Sequence, residues 1–170
     1  HMLDSAQLAP HMPDDGIFTD FGSGAGFPGL VLSIMLDRHV HLVESVGKKA
    51  AFLREAAQLT GAPAEIHLGR IEDLTPWPSR VITARALAPL DLLLDYAFPY
   101  YEPAGPDAFC LFLKGARADK ELTAAAKRWT MAVLSSMNAC RQASQASTPP
   151  AMLRAGTSLS IWQPMARSLR

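Results

Sequence analysis

The segment Asp20-Phe21-Gly22-Ser23-Gly24-Ala25-Gly26 constrains this chain more than any other. It follows the apolar pair Ile17-Phe18, which reads as the start of a strand, and Pro28 then stands at the favoured opening position of a helix. Glycines at alternate positions let a strand turn sharply and present bare backbone, because no Cβ blocks the approach or forbids positive φ. A helix that follows such a turn aims its free N–H groups back at the loop. Strand, glycine turn and helix in this order form the opening unit of a parallel sheet.

The chain then keeps alternating. Ile17 to Phe21 is the first predicted strand, Pro28 to Leu36 the first helix and Val40 to Glu44 the second strand. Ser45 stands where it can cap a helix running to Thr60; Ala50, Leu53, Ala57 and Thr60 share one face of it, and Gly61 stops it. Glu65 to Leu68 is a short third strand, followed by the loop Gly69-Arg70-Ile71-Glu72-Asp73 and the rigid connector Pro76-Trp77-Pro78. Val81 to Ala84 and Ala108 to Leu113 read as strands, and Leu90 to Tyr101 and Lys120 to Trp129 as helices. Such alternation predicts an α/β domain with a mostly parallel sheet and helices on both faces. Residues 135–150, rich in serine, alanine and glutamine, are expected to form a flexible loop. Leu159 to Trp162 fits a returning edge strand.

Composition limits the function classes. At 170 residues, 49% apolar and 19% charged, the chain suits one globular domain with a single core. Two cysteines, Cys110 and Cys140, without companion clusters point to a reducing cytoplasm and away from disulfide or zinc frameworks. No signal peptide is read at the start. The most apolar stretch, Ala86 to Phe98, is broken by Pro89, Asp91 and Asp95 and is too short to span a bilayer. The formal net charge is zero, so a nucleic-acid partner must be argued from local clustering.

Parallel sheets bind ligands beyond the carboxyl ends of their strands. Asp20, Glu44, the Arg70 loop, Arg85 and Lys114 all fall there. Gly24-Ala25-Gly26-Phe27-Pro28-Gly29 also matches the dinucleotide fingerprint Gly-x-Gly-x-x-Gly, and Glu44 sits about 20 residues on, where a cofactor ribose wants an acceptor. A nicotinamide cofactor is therefore one reading. Asp20 favours the other, because a phosphate-binding loop avoids a carboxylate, whereas the cationic amino-acid end of S-adenosylmethionine welcomes one. Arg85 directly follows an apolar strand, a costly position for an unpartnered charge. Lys114 stands in the same relation to its strand, or snorkels to solvent. Lys48, Lys49 and Arg54 lie on one helix, as a solvated face or, with Arg70, Arg85, Lys114, Arg117 and Lys120, as a basic rim for RNA phosphates. His39 and His41 alternate on one strand, but no third ligand is spaced to join them. They read as ordinary strand residues, and no metal is expected.

Six segments, in order, resemble the glucose-inhibited division protein B family. They are His1-Met2-Leu3-Asp4-Ser5, the glycine run from Asp20 to Gly29, Glu44-Ser45-Val46-Gly47-Lys48-Lys49, Gly69-Arg70-Ile71-Glu72-Asp73-Leu74, Ala84-Arg85-Ala86-Leu87-Ala88-Pro89-Leu90 and Leu113-Lys114-Gly115. The resemblance runs from the start to about Trp129 and implies the Rossmann-like class I S-adenosylmethionine-dependent methyltransferase fold. It further implies methyl transfer to guanine N7 in small-subunit ribosomal RNA, with a helical segment ahead of the first motif that this chain lacks; a monomer is expected. By resemblance Gly22, Phe27, Ile71, Glu72 and Arg85 hold the cofactor; Gly24, Asp20 and Glu44 join them on the physical reading. Glu72 also fits a solvated loop carboxylate, and Phe27 a core anchor beneath the first helix. Lys48, Lys49 and Lys114 are the candidate RNA contacts. A small-molecule methyltransferase on the same fold, a nicotinamide-dependent oxidoreductase and a cofactor-binding protein without activity are the competing readings.

Overall fold

A computed structural model describes residues 1–115, 118–127, 153–155 and 159–162. Among these, seven strands form one sheet in the order β3-β2-β1-β4-β5-β7-β6. The strands are β1 (Phe18–Phe21), β2 (Val40–Glu44), β3 (Ala64–Leu68), β4 (Val81–Arg85), β5 (Phe109–Leu113), β6 (Leu153–Ala155) and β7 (Leu159–Trp162). β1 to β5 are parallel, whereas β7 runs antiparallel to both β5 and β6. Leu159–Trp162 is thus a strand, as expected, but not the edge: β6 lies outside it.

The helices are α1 (Met2–Ala6), α2 (Gly29–Leu36), α3 (Gly47–Thr60) and α4 (Leu90–Tyr101), and residues 118–127 are helical. Two apolar cores result, one on each face of the sheet. Leu8, Leu30, Leu32 and Leu53 of the α1–α3 side pack on Phe18, Val40, Leu42, Val81 and Leu111. On the other side Leu93, Leu94, Ala97 and Tyr100 of α4 cover Phe21, Ile82, Ala84, Cys110 and Phe112. β5, Phe109–Leu113, covered on both faces, accordingly reads as an apolar run rather than an alternation. In α2 Gly29, Leu30, Leu32 and Ser33 are buried, whereas Ile34 and Met35 on its other face are exposed.

Two local expectations change. Ser45 does not cap α3; Val46 holds that position without a side-chain cap, and the Glu44 carboxylate receives its N–H instead. Ala50, Leu53 and Ala57 of α3 are buried as expected, but Thr60 is exposed and its hydroxyl donates back to Ala56 O at 2.7 Å. Gly61 ends the helix in the left-handed conformation, at φ 68°. Arg117, Cys140, Trp129 and the 135–150 segment lie outside the described residues. No helix among the described residues is long and apolar enough to cross a membrane.

Candidate functional site

A cleft of roughly 290 Å³ opens beyond the carboxyl ends of the parallel strands, near the lower limit for small-molecule sites. The predicted Gly22, Ile71 and Glu72 line it. Ser45, Leu87 and Tyr96, which sequence reasoning did not name as site residues, do so too. Leu87 had a signal: it lies inside the Arg85-to-Leu90 motif. Its neighbour Ala86 takes φ 50°, a left-handed backbone that turns the loop after β4 over the cleft.

The glycine loop is built by two kinds of constraint. Gly22 sits at φ 65°, and a Cβ there would lie 2.7 Å from Leu87 Cδ1. Any side chain at this position would meet both backbone strain and the opposite wall of the cleft. Gly29 lets α2 press onto the sheet; its Cβ would stand 2.5 Å from both Asp20 Cβ and Leu42 Cδ2.

Glu44 fastens the loop to β2. Its Oε2 accepts the Gly24 N–H at 2.9 Å and its Oε1 accepts the Val46 N–H at 2.8 Å, while the Ser23 N–H donates to Val43 O at 3.1 Å. The carboxylate is buried, yet each oxygen keeps a second lone pair, so it can still accept a hydroxyl. Phe27 and Arg85 lie together on a flank and do not line the cleft. The guanidinium carbon stands 5.3 Å above the Phe27 ring centroid, and Arg85 Nη1 is hydrogen-bonded to His1 Nδ1.

Asp20 is fully buried beneath the loop and does not line the cleft itself. The Thr83 hydroxyl donates to its Oδ1 at 2.6 Å, but Oδ2 has no hydrogen-bond partner. Burial pushes the carboxyl up from 3.8 to about 6. The Thr83 and Ser23 hydroxyls, the Gly29 amide (outside hydrogen-bond geometry to Oδ2) and the Arg85 charge oppose that rise only in part. A buried polar atom left without a partner needs an explanation.

Glu72 is exposed and lies 3.7 Å from Arg70, whereas Ile71 is buried and its carbonyl accepts the Tyr100 hydroxyl at 3.3 Å. Lys48 and Lys49 are exposed in the first turn of α3, and Arg54 is exposed further along it. Lys114 corrects an expectation. Its side chain is only 7% exposed, its ammonium pairs with Glu121 Oε2 at 2.9 Å, and it donates to Ala88 O. Its charge is thus paired inside the protein.

A glycine loop latched at the carboxyl edge of a 3-2-1-4-5 parallel sheet, extended by an antiparallel strand, is the class I S-adenosylmethionine-dependent methyltransferase fold. Solved structures agree on that fold. Coclaurine N-methyltransferase bound to N-methylheliamine and S-adenosylhomocysteine aligns with a TM-score of 0.57 at 15% identity, over 65% of this chain and 34% of that one. An RNA methyltransferase from Salinibacter ruber in complex with S-adenosylhomocysteine gives 0.54 at 17% identity, over 65% and 72%.

The sequence narrows the class. The profile of the family described as GidB, rRNA small subunit methyltransferase G, matches residues 1–148, and the chain belongs to that family. Ribosomal RNA small subunit methyltransferase G of Paramagnetospirillum magneticum is 53% identical over 132 residues, 77% of this chain and 63% of that protein. Its namesake in Rhodospirillum centenum is 51% identical over 134 residues, 78% and 61%. The chain thus spans somewhat under two thirds of the length of these relatives.

Proposed function

We propose that this chain, as a monomer in the cytoplasm, binds S-adenosylmethionine in the cleft and directs methyl transfer to N7 of a guanine in small-subunit ribosomal RNA. The observation that carries the cofactor reading is the unpartnered, buried Asp20 oxygen under a glycine loop. A dinucleotide pyrophosphate would be repelled there, whereas an ammonium group is drawn in. Family membership carries the substrate reading.

In this reading the backbone around Gly22 receives the amino-acid end, and Glu44 keeps a free lone pair for a ribose hydroxyl. Ile71 and Glu72 flank the adenine, and Phe27 and Arg85 close the flank on the side from which the guanine enters. Bound there, S-adenosylmethionine supplies an electrophilic methyl group on a sulfonium leaving group. Guanine N7 already carries a lone pair, so the protein has no proton to remove and needs no general base. Its task is placement: nucleophile and methyl in line, with water excluded. The guanine must be unstacked to reach the cleft, since the major groove of A-form RNA is too narrow to enter.

The test is transfer of a labelled methyl group to small subunits from cells lacking the enzyme, with the product nucleoside identified by mass spectrometry. The expected product is N7-methylguanosine. Arg85→Ala is expected to slow the reaction at least tenfold, about 1.4 kcal/mol in transition-state terms, with circular dichroism unchanged. Label on another base, or on a small molecule alone, overturns the reading. Calorimetric binding of NAD but not of S-adenosylhomocysteine would replace the cofactor as well.

A further inference from the structure

The pairing of β2 with β3 brings together four side chains that the cleft does not use. His41 stands opposite Glu65 and Val43 opposite His67 in the parallel register, so His41, Glu65 and His67 share one face of the sheet, with His39 just before β2. His41 Nδ1 lies 2.9 Å from His67 Nε2. The Glu65 carboxylate reaches both rings, with Oε2 3.7 Å from His41 Nδ1 and Oε1 3.6 Å from His67 Nε2. The His39 ring stands 4.9 Å from that of His41, and one ligand atom each from His39, His41 and Glu65 falls within 4.8 Å of the others. Trp77 is stacked on His67 at 4.4 Å.

We propose that His41, His67, Glu65 and His39 form a binding site for a first-row divalent cation of the zinc, copper(II) or nickel type. The donor set fits: imidazole nitrogens and one carboxylate suit these ions and not magnesium or calcium. The spacing fits as well. Two nitrogens about 2.1 Å from a common ion and 2.9 Å apart subtend about 90° at it, and separating the rings to about 3.4 Å reaches the tetrahedral value. His41, Glu65 and His67 sit on two hydrogen-bonded strands, so little ordering of these three is needed on binding. His41 and His67 lie two residues ahead of Val43 and Gly69, both of which line the cleft, so an ion here would pin the outer edge of the sheet directly beneath it. Spacing within the sequence could not show this, because the ligands that join the histidine pair come from the next strand.

Calorimetric titration of the protein with zinc chloride tests the site. One ion is expected to bind per chain, and Glu65→Ala or His39→Ala, both at exposed positions, is expected to weaken binding at least about tenfold. Copper(II) or nickel is expected to quench the emission of Trp77, and Trp77→Phe to remove that quench while zinc still binds. A His1→Ala/His11→Ala variant, altering histidines outside the cluster, is expected to bind as the parent does. No saturable binding overturns the proposal and leaves the rings as packing alone. So does binding unchanged by both Glu65→Ala and His39→Ala, binding abolished by the His1/His11 variant, or a quench that survives Trp77→Phe.

Discussion

Asp20 is a carboxylate that water does not reach, held by one hydrogen bond where its two oxygens could take several. Its raised pKa, from 3.8 to about 6, makes it a stability term with a definite sign. A carboxyl raised in the fold favours the folded state below its unfolded value near 3.8. That advantage disappears as pH rises through about 6, where the buried charge must form, at a cost of about 3 kcal/mol. Asp20→Asn, which keeps an acceptor for Thr83 but carries no charge, is therefore expected to melt at higher temperature than the parent above pH 6 and to match it at pH 4. Thermal melts from pH 4 to 8 check this. If the proposed ammonium contact exists, S-adenosylhomocysteine will bind the parent more tightly as pH rises through 6, with proton release near that pH. The Asn variant will lose this dependence. Equal pH profiles for the two proteins would remove Asp20 from cofactor binding.

At the scale of elements, α3 begins in an unfavourable way. Lys48 and Lys49 occupy its first turn, which contains no acidic residue, so two cations face the positive end of the helix dipole. Selection for stability alone would place carboxylates there. Replacing both with glutamate is expected to stabilise the protein by about 0.3–1 kcal/mol per site while weakening ribosomal RNA binding and leaving S-adenosylhomocysteine affinity unchanged. Denaturant midpoints, filter binding and calorimetry report the three effects separately. RNA binding that survives the double substitution reduces these lysines to a solvated face.

Elements with a strong local signal were legible from sequence: Val40–Glu44 and Leu90–Tyr101 have the expected bounds. Ser45 was misread because the capping rule inspects only the residue beside the helix, whereas the Val46 amide is taken by Glu44, whose place is fixed by the sheet. Leu159–Trp162 was legible as a strand but not as an inner one, because local pattern says nothing of which strands lie on either side.

At the scale of the molecule, the legible part of the site is the part joined by short spans of chain. The spacing marked Glu44 as an acceptor for a cofactor ribose; in the structure its carboxylate takes the Gly24 N–H of the loop backbone. The Lys114 arrangement was not legible, since it depends on three separate segments. Its ammonium holds Ala88 O in the loop after β4, and it pairs with Glu121, which accepts the Leu90 N–H at the start of α4 at 3.1 Å. Lys114→Met is expected to destabilise the protein by roughly 1–3 kcal/mol, through polar groups left unpaired, and to weaken S-adenosylhomocysteine binding without touching the cleft. Denaturant unfolding and calorimetry check both. Loss of RNA binding alone, with stability and cofactor affinity intact, would return Lys114 to the basic rim.

That same tie sets an order in time. A chain emerging from the ribosome presents the glycine loop and Glu44 early, but the wall formed by Leu87 and Ala88 lacks this polar tie until Lys114 and Glu121 have been added. At ordinary rates of synthesis, Glu121 follows Gly22 by roughly 5–20 s. On the proposed reading, the nascent protein during that interval carries the loop for the cofactor without the tie that holds the facing wall, so cofactor retention is expected to follow the making of Glu121 rather than of the loop.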